Sequence, residues 1–264
     1  MKIHILFLLL FILSIFSCEK VIDLEVNETE QKVVIDANYR ASLETVEVKL
    51  TKSKNVFEST NFPAVTGANI EIIDENGVAT QLIEQGDGIY ELTNYAPVFN
   101  TTYSMKVTVD GETYEAADFL PNLVELDSLT QKFEEESLFG SEGYVVYMNF
   151  TDPSGDNYYR AVRTENGEKM TSLGDQFIFD DQFSSGNQQT VPFFSERYEP
   201  DDTVMVEFRS YSKNTYDYYS QLFDIAGESG QSAAPANPDP SWTNDALGHF
   251  AVYGHDTDTI IIKE

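Results

Sequence analysis

The chain has 264 residues, with 16 Lys+Arg against 45 Asp+Glu and a formal charge of -29. So acidic a chain offers no basic face to displace phosphate counterions, which excludes nucleic acid as a partner. One cysteine excludes a disulfide framework and a cysteine zinc site, and 41% hydrophobic residues exclude a disordered acidic tail.

The N-terminus reads as an address. Lys2 precedes an apolar run from Ile3 to Phe16, too short for the roughly 20 residues of a spanning helix and laid out like a secretory signal. Ile15-Phe16-Ser17-Cys18 resembles a bacterial lipobox, in which a small residue precedes the cysteine that becomes lipidated. Residues 1–17 are therefore expected to be a lipoprotein signal peptide, Cys18 the acylated (palmitate-bearing) residue, and 18–30 a tether. An acidic chain is repelled by anionic lipid, so attachment rests on the acyl chains.

From Val33 the apolar residues alternate with period two. Val46, Val48 and Leu50 interleave with Glu47 and Lys49, and Tyr103, Met105, Val107 and Val109 run up to Asp110-Gly111. Asp-Gly and Asn-Gly pairs between such runs are hairpin turns, because both residues tolerate positive φ. The spacing predicts a mainly β protein, with an immunoglobulin-like β-sandwich over 31–120.

Leu120-Pro-Asn-Leu reads as a linker into a second β-rich domain, 121–264, a sandwich or open barrel carrying one helix. Its strand-like runs are Leu126–Phe133, Tyr144–Phe150, Tyr158–Arg163, Phe177–Phe179, Val204–Ser210, His249–Tyr253 and Thr259–Ile262. Asp180 to Asp202 reads as irregular. The helix is expected over about 213–226, with Ser212 as N-cap and Tyr216, Tyr219, Phe223 and Ala226 on one stripe. A Pro/Trp loop follows over 228–245, long enough to suggest function.

Four motifs carry a family resemblance: Cys18-Glu-Lys-Val-Ile-Asp-Leu24 with Lys32-Val-Val-Ile35; Gly67-Ala-Asn-Ile70 with Gly88-Ile-Tyr90; Asp152-Pro153 with Asp156-Asn-Tyr-Tyr-Arg160; and Asn237-Pro238 with Ala246-Leu-Gly-His-Phe250. On these the chain resembles a Bacteroidota outer-membrane lipoprotein family, domain of unknown function 4249. The resemblance implies no known catalytic residue and implies association with a TonB-dependent outer-membrane receptor; no cofactor is expected.

Chemistry-bearing patterns are sparse. Ser210-Tyr-Ser-Lys213 matches the Ser-x-x-Lys of penicillin-recognising enzymes but lacks their Ser-Asp-Asn and Lys-Thr-Gly partners. His249 and His255, six residues apart on a strand at about 3.3 Å each, are too far apart to share a metal. His255-Asp-Thr-Asp258 reads as a polar turn between the last two strands, and Asp152-Pro-Ser-Gly-Asp156-Asn157 as a strand-connecting turn without the calcium-loop register. No catalytic residue and no metal site is assigned.

Trp242, Tyr158 and Tyr159 are the candidate ligand or partner contacts, since aromatic side chains give contact area at low entropic cost. Tyr158 and Tyr159 are adjacent, so on a strand only one of them can face a ligand. Ser128, Thr203 and Thr259, each after an aspartate, fit a short O-glycosylation pattern. The leading expectation is a non-catalytic, lipid-anchored outer-membrane accessory protein partnering a TonB-dependent transporter. A structural or adhesive surface lipoprotein is the alternative. Glu19-Lys20 leaves open whether it faces the periplasm or the cell surface.

Overall fold

The computed structural model describes residues 30–54, 61–136, 141–182, 185–194, 196–227 and 237–264. Cys18, the signal peptide and all but the last residue of the tether lie outside them, as does 228–236 of the Pro/Trp loop. Among the described residues the protein is mainly β, with several sheets and one α-helix.

One long sheet organises the molecule. Its strands run in the order β12 (Glu168–Lys169), β11 (Tyr158–Glu165), β15 (Thr203–Tyr211), β16 (Phe250–Ile261), β1 (Val33–Arg40), β2 (Thr45–Lys52), β6 (Ile89–Thr93) and β5 (Ile83–Gly86), with β13 (Phe177–Asp180) also on β11. Two smaller sheets back it. One has the order β4 (Ala79–Gln81), β3 (Asn69–Ile73), β7 (Thr101–Val109), β8 (Glu112–Leu120), and the other β14 (Gln188–Pro192), β10 (Gly143–Thr151), β9 (Leu126–Glu134).

Period-two alternation builds two cores against this sheet. Ile35, Ala37 and Tyr39 of β1, with Val46, Val48 and Leu50 of β2, meet Ile70, Ile72, Met105 and Val107 of the four-stranded sheet. Val204, Val206 and Phe208 of β15, with Tyr159 and Ala161 of β11, meet Val146, Met148 and Phe150 of β10. The first core also takes Trp242, Ala246, Phe250 and Val252 from the far end of the chain, and 31–264 is one compact unit. The reason is β16. Its first residues pair in parallel with β1, and the rest pair antiparallel with β15, so one strand belongs to both halves.

That strand corrects the expected polar turn at His255–Asp258. Asp256 and Asp258 point inward across the sandwich, where their carboxylates accept the backbone N–H groups of Leu126 (2.8 Å) and Leu129 (3.0 Å). Polar residues that look like a turn here are cross-sheet acceptors. Likewise the stretch 180–202 contains β14, which pairs with β10 over Tyr147–Thr151.

The segment leading into β16 is fixed by backbone contact. Leu247 and His249 exchange hydrogen bonds with Val33, Ile35 and Ala37 at 2.8–2.9 Å. Gly248 between them has φ +95°, and a Cβ there would fall 2.2 Å from the Ile35 carbonyl oxygen. Only glycine permits that approach.

Helix α1 (Lys213–Gly227) lies on the face of the long sheet opposite the cores. Ser212 Oγ accepts the Thr215 N–H at 3.0 Å, the N-cap that the sequence predicts.

Candidate functional site

The outer face of the long sheet is where alternate residues of β1, β16, β15 and β11 point away from the cores. Asn38 and Arg40, Tyr253 and His255, Glu207 and Arg209, and Arg160 and Val162 therefore share it. Register makes them neighbours: Arg40 stands opposite Tyr253, His255 opposite Arg209, and Arg209 opposite Arg160. Like charges facing each other across strands are unfavourable unless something separates them. Here aromatic rings and carboxylates do. The Arg209 guanidinium lies 4.7 Å from the Tyr253 ring centroid, gives Nε to Glu207 at 2.6 Å and Nη1 to the Tyr211 hydroxyl at 3.2 Å. Arg160 lies 4.9 Å from Tyr219 and 5.1 Å from Phe223 on α1, and donates Nη2 to Gln176. Arg40 pairs with Glu47 at 3.2 Å.

The helix covers part of this face and leaves two adjoining clefts. The first, about 240 Å³, is lined by Asn38, Arg40, Glu47, Lys169, Glu207, Arg209, Tyr253, His255 and the exposed Leu43. The second, about 370 Å³, runs beneath the C-terminal half of α1 and is mainly apolar, with Val162, Met170, Leu222, Phe223 and Ala226 in its walls. Lys169 and Arg209 line both, so the two clefts form one groove.

Burial tunes its groups. Burial lowers the His255 imidazole below its usual range, so it is neutral at pH 7. Burial pushes the Tyr253 hydroxyl up to about 12. Burial would raise Glu207, but the charge and hydrogen bond of Arg209 outweigh it and hold the carboxylate below the ordinary value. Ser42, in the 3-10 turn after β1, gives its hydroxyl to the His255 carbonyl at 2.6 Å and accepts the His255 N–H at 2.8 Å, fixing that residue's backbone at the rim.

A second polar cluster sits at the start of α1. Asp118 on β8 is 1% exposed and accepts the hydroxyls of Ser212 and Thr215 and the Val252 N–H. Thr215 Oγ1 also lies 2.9 Å from His249 Nε2, and the His249 ring stacks on Tyr218 at 4.3 Å. An Asp, a hydroxyl and a His in line have the parts of a nucleophilic relay. Thr215 is fully buried, however, so its hydroxyl cannot meet a substrate. The cluster ties β8, α1 and β16 together.

The profile of the family described as Domain of unknown function (DUF4249) matches residues 19–258. The chain belongs to this family. No curated protein matches it. Among solved structures, the chicken interferon gamma receptor alpha chain aligns over 68% of this chain and 88% of its own. Its 9% identity and TM-score of 0.20 carry no argument.

In this DUF4249 body the candidate contacts take unequal places. Trp242 is 4% exposed and donates Nε1 to the Ile35 carbonyl at 3.1 Å, so it plugs the N-terminal core and faces no ligand. Tyr159 is buried beneath β11 with its hydroxyl on Asp152. Tyr158, half-buried on the opposite face, packs against Tyr216 of α1 at 5.0 Å, just beside the groove. Of the glycosylation candidates, Thr259 is exposed, whereas Ser128 and Thr203 are half-buried. Ser210 accepts the Val124 N–H at 3.1 Å deep in the sheet, while Lys213 pairs with Asp217, so the Ser-x-x-Lys pattern brings no base to its serine.

The turn at 152–157 is held by two buried carboxylates, Asp152 within it and Asp181 beside it. Asp152 accepts the Tyr159 hydroxyl and the Gly186 N–H, and Asp181 accepts the backbone and side-chain N–H groups of Asn157. No group of three or more His, Cys, Asp or Glu is arranged to hold a metal ion among the described residues. The groove itself is invisible to sequence reading, because its three arginines lie on three strands far apart in the chain, β1, β11 and β15. The faint signal is a lone cation on the outward phase of each strand.

Proposed function

We propose that this chain is a lipid-anchored, non-catalytic accessory protein of the outer membrane that binds a ligand and partners a TonB-dependent transporter in nutrient uptake. The observation that carries the binding role is the groove: a preformed concavity with arginines braced by rings and carboxylates, on rigid strands. Such pre-organisation lowers the ordering cost of binding. The buried Thr215 hydroxyl and the split Ser210–Lys213 pair support a role by contact over one by bond chemistry. The lipobox at Cys18 supports the anchor, since the acidic surface favours no electrostatic docking on lipid.

Two measurements test this reading. Cys18→Ala is expected to move the protein from the membrane to the soluble fraction, and persistent sedimentation with membranes overturns the anchor. Affinity capture of the native protein from outer membranes is expected to recover a large β-barrel receptor. A monomeric lipoprotein whose deletion impairs attachment but leaves uptake intact selects the adhesive alternative.

A further inference from the structure

The groove's own chemistry narrows the ligand, building on the binding role above. We infer that it takes a small amphiphilic anion, its acidic group between Lys169, Arg209 and Arg40 and its apolar body along Leu222 and Phe223 of α1.

Charge is the first argument. The two clefts hold four permanent cations, Arg40, Arg160, Lys169 and Arg209, against two carboxylates, Glu47 and Glu207. That is a net positive island on a chain of formal charge -29. Nothing in the folding of a half-exposed sheet face requires cations to gather there, and gathering them carries a repulsive cost.

Unspent hydrogen-bonding capacity is the second. Arg40 Nε, Arg160 Nε and His255 Nδ1 are three of the five buried side-chain polar atoms without a partner among the described residues, and all three belong to residues lining this groove. Lys169 is exposed on the two-residue edge strand β12, and among the described residues its ammonium makes no ion pair. A buried polar group without a partner costs free energy, so the floor of the groove is short of hydrogen-bonding partners.

The third argument is the division of the groove. Its polar end opens directly onto the apolar end, and Lys169 and Arg209 stand at the junction. A wholly polar anion would leave the apolar walls wet. A neutral apolar molecule would leave the guanidinium and ammonium groups unanswered. Only a molecule with both parts satisfies both ends.

The test is calorimetric titration of the full exported chain, residues 18–264 with Cys18→Ala, which needs no detergent to compete for the apolar end. Octanoate and octyl phosphate are the probes, with octanol, acetate and inorganic phosphate as controls. Saturable binding of one or both amphiphilic anions, at least tenfold tighter than every control, is expected. The stronger of the two identifies the acid as carboxylate or phosphate.

Lys169→Glu, on an exposed strand with no ion pair to break, is expected to weaken that binding about tenfold or more at unchanged melting temperature. Leu222→Ser is expected to weaken the octyl probes and leave the polar controls as they were. Equal affinity for octanol and octanoate, no binding of any probe, or indifference to Lys169→Glu each overturns the inference. A positive titration combined with a Cys18→Ala protein still bound to membranes would separate this ligand chemistry from the anchoring role.

Discussion

Asp118 on β8 and His249, the residue just before β16, are joined through one buried hydroxyl: Thr215 Oγ1 donates to Asp118 Oδ2 at 2.7 Å and meets His249 Nε2 at 2.9 Å. With the Thr215 proton on the carboxylate, the imidazole must donate Nε2–H, which leaves Nδ1 as the unpartnered acceptor. Burial drives the two groups in opposite directions. It raises Asp118 to about 6, against four hydrogen bonds that lower it, and it depresses His249 to about 4.

Their effects on stability therefore oppose each other. The folded Asp118 binds its proton more readily than the unfolded one, so its contribution falls as pH rises from about 4 to 6. The folded His249 resists protonation, so its contribution is present above about 6.5 and is lost as pH falls toward 4. A tenfold change in proton affinity corresponds to about 1.4 kcal/mol, so each group alone tilts the profile by a few kcal/mol and together they nearly cancel. We predict that His249→Gln gains melting temperature relative to wild type between pH 7 and pH 4.5, and that Asp118→Asn loses it. Thermal melts of the three proteins at matched pH check this, and parallel profiles would refute the opposed titration.

The helix start depends on the same carboxylate. Ser212 satisfies the Thr215 N–H and is itself held by Asp118. Ser212→Ala removes the cap and leaves Asp118 short of a donor, at a cost of about 1–3 kcal/mol. Urea denaturation should show a lower midpoint with an unchanged slope. Ser212→Thr, which can keep the cap, should recover most of the loss.

Trp242 offers a direct optical check. It is the only tryptophan and is buried against Phe250, with its indole N–H bonded to a strand carbonyl. Native emission should be blue-shifted, resistant to iodide quenching and insensitive to ligands of the groove. Trp242→Ala should cost about 3–5 kcal/mol, the range for emptying a large aromatic site. A red-shifted, freely quenched native spectrum would contradict this placement.

Local signals carried much of the architecture. Asp87-Gly88, Asp110-Gly111 and Asn166-Gly167 all have positive φ at both residues, as two-residue hairpins require, and the Ser212 cap and the tyrosine stripe of α1 follow helical spacing. Long-range partners were not legible. His255 to Asp258 has the composition of a turn because nothing local reveals that Asp256 and Asp258 will meet the N–H groups of β9 across the sandwich. The groove was hidden for the same reason. Arg40, Arg160, Arg209 and His255 each look like one isolated polar residue on one strand, and only the order β1, β16, β15, β11 makes them neighbours. Trp242 misled because aromatic composition alone does not distinguish a core plug from a contact surface.

Gly248 tests the joint between the halves. The strand β16 can lie parallel to β1 only if residue 248 comes so near the Ile35 carbonyl that a Cβ would stand 2.2 Å from its oxygen, and it does so at φ +95°. Alanine there must both enter a backbone region that costs L-residues about 1–2 kcal/mol and push β1 away from its neighbour. The backbone atoms of Ile35 cannot yield as a flexible side chain would, since they are hydrogen-bonded to Leu247 on one side and paired with Leu50 on the other. Gly248→Ala should therefore cost more than the conformational penalty alone and should loosen both cores together, because β16 serves both. Hydrogen exchange would show it as lost protection in β1 and in β15 alike. Loss confined to β1 would mean that the parallel joint can yield without disturbing the C-terminal half.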